Sequence, residues 1–367
     1  MPRIPADDMI EFAAALLAAG GAEKAEAATV ARSLVEANLR GHDSHGVMRL
    51  PSYLDKLERN EVVPGASLEI IKETPSLVTA DGQWGFGQVQ AGRLTKRLIA
   101  KTQASGMAIG TLRRVTHVGR LGEYCELATA AGLIAQIMAN SHGNQRWVAP
   151  PGGAEARLGT NPIAYGIPNG AEPIIFDFST AATAEGKVRL KRIAGQKCPD
   201  DWLLNPEGRP TTDPAALYRD PPGTIRSLGG DQAFKGFGLG LMAEIFAGAL
   251  SGGECARERP INPKGNCLFV QLIDPAVFFG AEEFAVEVAR LIEYIRECPR
   301  RDGVGEIVLP GDRSRRSRDE RIRDGIPIDD DCWRDLSRLG MRLDVPMPGR
   351  RSPRSQPPVA SGASHSS

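Results

Sequence analysis

The sequence predicts an α/β protein in which a mixed sheet is flanked by helices from both ends of the chain. The first 60 residues carry apolar positions at helical spacing, with acidic starts and glycine ends, as in ADDMIEFAAALLAAGG from residue 6. Short β-rich runs begin at about residue 66, and the chain becomes helical again after GEIVLPGD, which ends at residue 312. Strands that alternate with helices indicate a sheet covered by helices.

Each further element follows from a local pattern. The second helix, AEKAEAATVARSLVEANLRG, repeats the pattern of the first. The β-rich runs are SLVTADG, MAIGTLRRV, GLIAQIMAN, PIAYGIP and PIIFDFS, with helical stretches GQVQAGRLTKRLIAKTQASG and RLGEYCELATAAG between some of them. Later, FKGFGLGLMAEIFAGALSGG predicts an apolar helix, NCLFVQLID a buried strand and AEEFAVEVARLIEYIREC an amphipathic helix. Residues 346–367 are rich in Pro, Ser and Arg, which predicts a disordered tail.

Composition excludes several classes of protein. The 45 basic and 45 acidic residues cancel, so nothing favours a nucleic-acid or membrane-surface partner. No apolar run approaches the roughly 18 residues of a membrane-spanning helix, and MPRIPADDMIEF lacks the pattern of a secretion signal. The six cysteines lie far apart without a CxxC pair, as expected of reduced thiols in a cytoplasmic protein.

The common nucleotide-binding motifs are missing or misplaced. There is no GxxxxGK[ST] segment, so a P-loop is not expected. GLGLMA at 238–243 fits GxGxx[GA], but it lies inside an apolar helical pattern with no strand before it. Glycines in that setting are typical of close helix packing. The sequence therefore predicts a fold that is not a Rossmann fold.

The segment GHDSHGVMRLPSY, residues 41–53, is the first candidate site. His42 and His45 could be metal ligands, but a metal site needs three or four converging ligands and the surrounding sequence supplies no HExxH or cysteine pair. Alternatively, Asp43 or Ser44 is the N-cap of a helix HGVMRLPSYLDKL that breaks or restarts at Pro51. A helix start is also compatible with catalysis, because a neutral histidine there suits proton transfer.

Two further residues sit where strands end. His117 follows a β-rich run and precedes a helical stretch, a common position for functional side chains. Asp177 ends an apolar strand, so its carboxylate either caps the next helix or orients a histidine. The sequence leaves both possibilities for Asp177 open.

Nine segments in chain order carry a resemblance to a known family. They are NLRGHDSHGVMRLPSY, THVGRLGEY, VAPPGG, RLGTNPIAYGIP, DFSTAATAEGK, GRPTTDP, ALSGG, LPGD and RIRDGIPID. Together they closely resemble the type 2 malate/L-lactate dehydrogenases, NAD(P)-dependent 2-hydroxyacid oxidoreductases without a Rossmann fold, and most closely their hydroxycarboxylate dehydrogenase B branch. The resemblance implies a homodimer. It also implies a helical domain from residues 1–65, completed by 315–345, joined to a mixed-sheet cofactor domain of residues 66–314.

The resemblance also implies the site residues. His45 would be the proton donor and acceptor, with Ser44 and Asp177 as its relay partners and His117 as a second active-site histidine. Arg49 would hold the substrate carboxylate. The cofactor contacts would fall on His45, Gly119, Arg120, Leu121, Asp177, Phe178, Ser179, Thr180, Ala181, Lys235, Asn266, Gly311, Asp312, Arg313 and Ser314. Phe234 stands where the family often has a polar residue, and Asp312 where the family usually has a glutamate.

The expected reaction is hydride transfer between the cofactor and C2 of a small 2-hydroxy or 2-keto acid, with no metal. One alternative within the family is NADPH-dependent reduction of cyclic imino acids. A second alternative is a metal-dependent hydrolase that uses His42, His45 and Asp177. The family branch favours NAD, with NADP possible. An arginine run that follows LPGD could clamp the extra phosphate of NADP or could be a solvated surface; it comprises Arg313, Arg315, Arg316 and Arg318.

Overall fold

The structure, a computed structural model, describes residues 1–143, 145–258 and 264–349. Its first half contains β1 (Arg3–Ile4), α1 (Ala6–Ala19), α2 (Lys24–Leu39), α3 (Leu50–Glu58), β2 (Glu69–Glu73), β3 (Leu77–Asp81), α4 (Gly87–Ser105), β4 (Met107–Val115), α5 (Gly122–Ala130), β5 (Ile134–Asn140), β6 (Ile163–Ile167) and β7 (Ile174–Phe178). Its second half contains α6 (Glu185–Ile193), β8 (Leu203–Leu204), β9 (Pro210–Thr211), β10 (Thr224–Ile225), α7 (Ala233–Glu244), β11 (Asn266–Ile273), α8 (Ala281–Arg296), α9 (Asp312–Asp324), β12 (Ile326–Pro327) and α10 (Asp330–Arg342).

The central sheet has seven strands in the order β2-β3-β4-β11-β5-β6-β7. Only β3 and β4 pair in parallel, and every other neighbouring pair in this sheet is antiparallel. A doubly wound Rossmann sheet is mostly parallel with helical crossovers. The predicted fold class, a mixed sheet with helices and without a Rossmann fold, is therefore confirmed.

The GLGLMA segment lies within α7, as predicted. This helix continues into a wider turn over Ile245–Ala249, and its Ala243 packs with sheet residues including Phe269. A Cβ added at Gly240 would come within 2.9 Å of Thr180 Oγ1. The glycine therefore permits close helix packing and is not part of a phosphate-binding turn.

Apolar residues from both chain ends share one core. Leu16, Leu34 and Leu54 from α1 to α3 pack in it with Trp333 and Leu336 of α10. A second core lies between the sheet and helices α4 and α5. The start of α4 contributes to the first core as well, so residue contacts give no sharp border at 65/66. The domain limits 1–65, 66–314 and 315–345 stay predictions.

The predicted helix from residue 45 to 57 is wrong in its first part. Residues Asp43–His45 and Val47–Arg49 form two short 3-10 turns, and the α-helix begins only at Leu50, with Pro51 in its first turn. Gly46 between the turns is extended, at φ −90° and ψ −156°. A proline is well placed in a first helical turn, where its missing N–H is not needed.

Neither proposed N-cap forms at this segment. The Asp43 carboxylate accepts hydrogen bonds from the Asn38 amide at 2.7 Å and from the Arg321 guanidinium at 2.6 Å. It is therefore unavailable to backbone N–H groups, and Ser44 instead contacts the neighbouring imidazole. Asp43 links the segment to α2 and α9.

Most of the predicted tail, 346–367, falls on residues outside the described part of the chain, which ends at residue 349. Within the described part, Met347 packs against the first core, and Val345 N donates to Gly340 O at 2.9 Å. The chain just after α10 is thus held against the helices.

Candidate active site

The position of His45 is set by an asparagine of α2. The Asn38 amide nitrogen donates to Asp43 Oδ1, and its oxygen accepts from Val47 N at 2.8 Å, so one side chain ties both ends of the turn. A Cβ at Gly46 would collide with this amide, which explains the glycine. Ser44 Oγ lies 3.0 Å from His45 Nδ1 and fixes the ring orientation. The serine contact expected from the resemblance is therefore present.

His117 lies beside His45. Their ring centroids are 5.4 Å apart with a 31° interplanar angle. The loop that carries His117 is anchored where Val118 N donates to Asn266 Oδ1 at 3.1 Å, which ties the end of β4 to the start of β11. Two histidines 72 positions apart in the sequence are thus brought together by the sheet.

Both imidazoles are neutral near pH 7. Burial, followed by the positive charge of Arg49, lowers the pKa of His45 from 6.5 to about 3. The same two causes hold the pKa of His117 well below its ordinary value. A neutral imidazole can accept a proton through an unprotonated nitrogen and donate a hydrogen bond through the other.

Arg49 provides a cation that has no ion-pair partner among the described residues. Its Nε donates to Ser44 O at 2.7 Å, which leaves the two terminal nitrogens of the guanidinium without a protein partner in the described chain. No carboxylate among the described residues lies within ion-pair distance of this group. Burial lowers the pKa of Arg49. A desolvated cation is costly unless an anion compensates it, so the arrangement favours an anionic ligand.

Asp177 does not contact either histidine. Its Oδ2 accepts a hydrogen bond from Gly122 N at 2.7 Å, so the carboxylate binds the N-terminus of α5. This contact differs from both alternatives left open by the sequence. The carboxylate caps α5, which precedes Asp177 in the chain, and it orients no histidine. A direct relay from His45 to Asp177 is not formed, because the carboxylate is held at α5.

A cleft of about 910 Å³ lies next to the 3-10 turns, between β7 and the start of α9. It is lined by several predicted site residues: Ser44, Arg120, Asp177, Gly311, Arg313 and Ser314. His42 and Lys187 also line it, although neither was among the cofactor contacts expected from the resemblance. His42 Nε2 lies 3.4 Å from Ser314 Oγ, which links the 3-10 turn to α9.

Other predicted cofactor contacts serve the fold or lie outside this cleft. Ser179 and Thr180 both donate to Thr160 O. The Asn266 amide bridges Val118 N and Asn140 O, and the exposed Lys235 lies 5.8 Å from the ring centroid of its neighbour Phe234. The remaining ones are buried or packed positions: Gly119, Leu121, Phe178, Ala181 and Asp312.

No group of three His, Cys, Asp or Glu side chains that could hold a metal occurs in residues 1–143, 145–258 and 264–349. His42 and His45 thus have no third metal-binding partner there. In the same residues no helix is long and apolar enough to cross a membrane.

Residues 4–337 match the family described as malate/L-lactate dehydrogenase. The chain belongs to this family. It is 35% identical to L-lactate dehydrogenase of Cupriavidus necator over 87% of this chain and 91% of that relative. It is 32% identical to hydroxycarboxylate dehydrogenase B of Escherichia coli O157:H7, covering 94% and 95% of the two chains. These matches confirm the resemblance identified from the nine segments.

Solved structures give the same family and one different reaction. A putative malate/lactate dehydrogenase from E. coli superposes with a TM-score of 0.88 at 32% identity, over 94% of this chain and 96% of that chain. A δ1-piperideine-2-carboxylate reductase from Pseudomonas syringae superposes at 0.80 with 30% identity, over 92% and 100% of the two chains. The first relative bears the name of the family expected from the nine segments, and the second is a reductase.

The sequence reasoning missed two residues beside the histidines. Tyr53 OH lies 2.7 Å from His117 Nδ1, and Gln88 Nε2 donates to that hydroxyl at 2.8 Å. Tyr53 stands four positions after Arg49, one turn along the same helical segment, and this spacing is a signal that could have identified it. The sequence offers no comparable signal for Gln88.

Proposed function

We propose that the protein transfers a hydride between NAD and C2 of a small 2-hydroxy acid, with His45 accepting and returning the hydroxyl proton. The observation that carries this proposal is the pairing, at His45 and Arg49, of a neutral imidazole with a guanidinium that has no carboxylate within ion-pair distance among the described residues. A 2-hydroxy acid presents a carboxylate and a proton-bearing oxygen on adjacent carbons. The two side chains match those two groups.

Each residue has a separate task in this proposal. Arg49 binds the substrate carboxylate through its two terminal nitrogens, which have no partner in the described chain, and so fixes C2. His45 takes the proton from the C2 hydroxyl, while Ser44 keeps the imidazole oriented. When bound, the cofactor would supply a nicotinamide ring that accepts the hydride from C2. Asp177 acts indirectly at most, because its carboxylate is bonded to α5.

The cleft fits a phosphate-bearing cofactor. Gly311 precedes α9 at φ 98°, where a Cβ would meet backbone of Ile175 at 3.3 Å. At the start of this 13-residue helix Asp312 N donates to Leu309 O, while the N–H groups of Arg313 and Ser314 have no partner among the described residues and favour an anion. Arg313 lines the cleft and has no carboxylate partner in the described chain. Gly311, Arg313 and Ser314 would hold a phosphate of the cofactor.

A substrate and cofactor panel tests the proposal. Lactate, malate and related 2-hydroxy acids would be assayed with NAD and NADP, and cyclic imino acids with the reduced cofactors. We expect turnover of at least one 2-hydroxy acid that survives exhaustive treatment with a chelator, because no third metal ligand accompanies His42 and His45 in the part of the chain that the structure describes. Activity lost with a bound metal would favour the hydrolase alternative and contradict the proposal.

Imino acid reduction is the second candidate, supported by the likeness to the δ1-piperideine-2-carboxylate reductase. Such substrates carry a carboxylate beside a C=N bond, so Arg49 suits them as well. A cyclic imino acid reduced much faster than any keto acid would establish this alternative.

The arginine run provides a prediction about cofactor choice. Three of its four members are paired, since Arg315 bonds Asp312, Arg316 bonds Glu306 and Arg318 bonds Glu36. The sequence raised the possibility that all four arginines clamp a phosphate. Of the four, only Arg313 has no carboxylate partner among the described residues. One guanidinium of the run without a carboxylate partner in the described chain favours NAD, with weaker use of NADP.

We expect Arg313→Glu to raise the KM for NADP about tenfold more than the KM for NAD, because only NADP carries the additional dianion. Arg316→Glu is the matched control, since its partner is Glu306. Equal changes with both cofactors for Arg313→Glu would contradict a role in reading the ribose phosphate, and a clear native preference for NADP would overturn the choice of NAD.

We further propose a cytoplasmic homodimer. Helix α8 has no fully buried residue, and its Val286, Leu291 and Tyr294 are exposed. Phe278 and Phe279 before it are also exposed and line one groove with Phe284 of α8. Exposed apolar surface of this kind marks protein interfaces. All six cysteines are free thiols, as a reducing compartment favours. A solution mass of one chain, 39.3 kDa, would contradict the dimer.

A further inference from the structure

A hydrogen-bonded chain connects α4 to the second histidine. It runs from the Gln88 amide to the hydroxyl of Tyr53 on α3, at 2.8 Å, and from that hydroxyl to Nδ1 of His117, at 2.7 Å. Tyr53 is 4% exposed and Gln88 is 2% exposed. Water therefore cannot readily replace either side chain. The donor and the acceptor of each hydrogen bond are set by Gln88, Tyr53 and His117 themselves.

The amide of Gln88 determines that direction. An amide –NH2 can only donate, so the Tyr53 oxygen accepts from it and the hydroxyl proton is free to point at His117 Nδ1. In that arrangement Nδ1 is unprotonated and the ring proton is on Nε2. One buried atom stays without a partner, the Gln88 carbonyl oxygen.

The opposite direction is worse. If the amide were turned by 180°, its oxygen would accept from Tyr53, and the hydroxyl would accept from a proton on His117 Nδ1. The –NH2 group of Gln88 would then be buried with no acceptor at all. Unpaired buried N–H donors are rarer and costlier than carbonyl oxygens without a partner. The chain therefore selects the tautomer with hydrogen on Nε2.

A charged ring does not fit this chain either. An imidazolium would present N–H at both nitrogens, so Tyr53 would have to accept from His117 and from Gln88 with its own proton unused. Arg49 and Lys56 add positive charge near the ring, and burial together with these cations lowers the pKa of His117. His117 therefore stays neutral.

We propose that Tyr53 and Gln88 are positioning residues that hold His117 as the neutral Nε2–H tautomer, and that this N–H binds the C2 oxygen of the substrate while His45 carries the proton. Nε2 of His117 has no partner within the described chain, and the ring lies against His45. A neutral donor stabilises negative charge that develops on an oxygen without competing for its proton. The substrate half of this inference rests on the proposed function; the tautomer does not.

The tautomer is measured on the resting protein. Long-range ¹H–¹⁵N correlation spectra of ¹⁵N-histidine-labelled protein at neutral pH distinguish protonated from bare ring nitrogens, and loss of a signal in His117→Gln assigns the ring. We expect an unprotonated Nδ1 and a protonated Nε2. A proton on Nδ1 would overturn the inference whatever the enzyme catalyses. The measurement is made on the native protein, and the His117→Gln variant is needed only to assign the signals.

Tyr53→Phe tests the consequence. Without the hydroxyl we expect a mixture of tautomers, with kcat reduced between about tenfold and a hundredfold and cofactor affinity unchanged. Tyr165→Phe is the matched control, because Tyr165 on β6 also accepts from a glutamine, Gln136 at 3.4 Å, but faces no histidine. It should change neither the tautomer nor kcat.

The outcomes separate the two proposals. An unchanged tautomer and unchanged kcat in Tyr53→Phe would overturn the positioning role. A native Nε2–H tautomer in a protein that turns over no hydroxy or imino acid would contradict the proposed function and the substrate contact of His117, but would leave the tautomer assignment standing.

Discussion

Replacing His45 with glutamine should lower kcat about 10²- to 10⁴-fold, the range typical of losing a general acid–base group. Glutamine retains a polar side chain of similar length but cannot accept and return a proton. Cofactor affinity should stay close to native, because His45 is absent from the residues that line the cleft beside α9. Steady-state kinetics with a saturating cofactor and a direct cofactor titration measure the two quantities separately.

The pH dependence of the native enzyme tests the state of the same histidine. Because the pKa of His45 is lowered from 6.5 to about 3, the ring stays neutral as the pH falls through 6.5. Oxidation needs the neutral base, so kcat/KM for the hydroxy acid should show no loss attributable to His45 near pH 6.5. Reduction needs the protonated ring, whose population grows as pH falls, so kcat/KM for the keto acid should continue to rise from about pH 8 to about pH 5.

Two further histidine variants test whether His45 is the residue that transfers the proton. His117→Gln should retain more activity than His45→Gln, because His117 is assigned hydrogen bonding and not proton transfer. His365→Gln, in the segment that the sequence predicts to bury nothing, should behave as native. An active His45→Gln together with an inactive His117→Gln would exchange the two roles.

Local patterns in the sequence were sufficient to predict most of the scaffold. The five β-rich runs became strands of one sheet, since alternation and β-branched content are properties of each run by itself. The strand order, in which β11 lies between β4 and β5, was beyond those patterns. It depends on pairing between segments more than 120 residues apart, from Ile134–Asn140 to Asn266–Ile273.

The candidate site was predictable to the extent that the resemblance supplied it. The errors came where a side chain has a distant partner. The local sequence predicts that Asp43 caps a helix, but its carboxylate accepts a hydrogen bond from Arg321, 278 positions away. Asp177 reads as a cap of the following helix or a histidine partner, but its oxygen is bound by Gly122. Cap propensity describes a residue and its neighbours, and neither competitor is a neighbour in sequence.

Substitution of Arg49 should produce the second large loss of activity. Its guanidinium has one bond within the chain, to Ser44 O, and no counter-ion in the described residues. A planar fork binds a carboxylate through two parallel hydrogen bonds, which an ammonium group cannot reproduce. Arg49→Lys should therefore raise the substrate KM about tenfold or more, with a smaller change in kcat, and Arg49→Met should lower kcat/KM about 10²-fold or more.

A change in the substrate shows whether the arginine acts on the carboxylate. With the native enzyme, a 2-hydroxy amide that lacks the negative charge should have a kcat/KM about 10²-fold below that of the corresponding acid. In Arg49→Met this ratio should fall towards one, because the group that distinguishes acid from amide is gone. Arg59→Lys, an exposed arginine at the end of the same helix, should leave the ratio unchanged. If Arg49→Met were slow yet still preferred the acid by the native ratio, Arg49 would act by holding Ser44 and its turn in place, and the carboxylate would be bound by another residue.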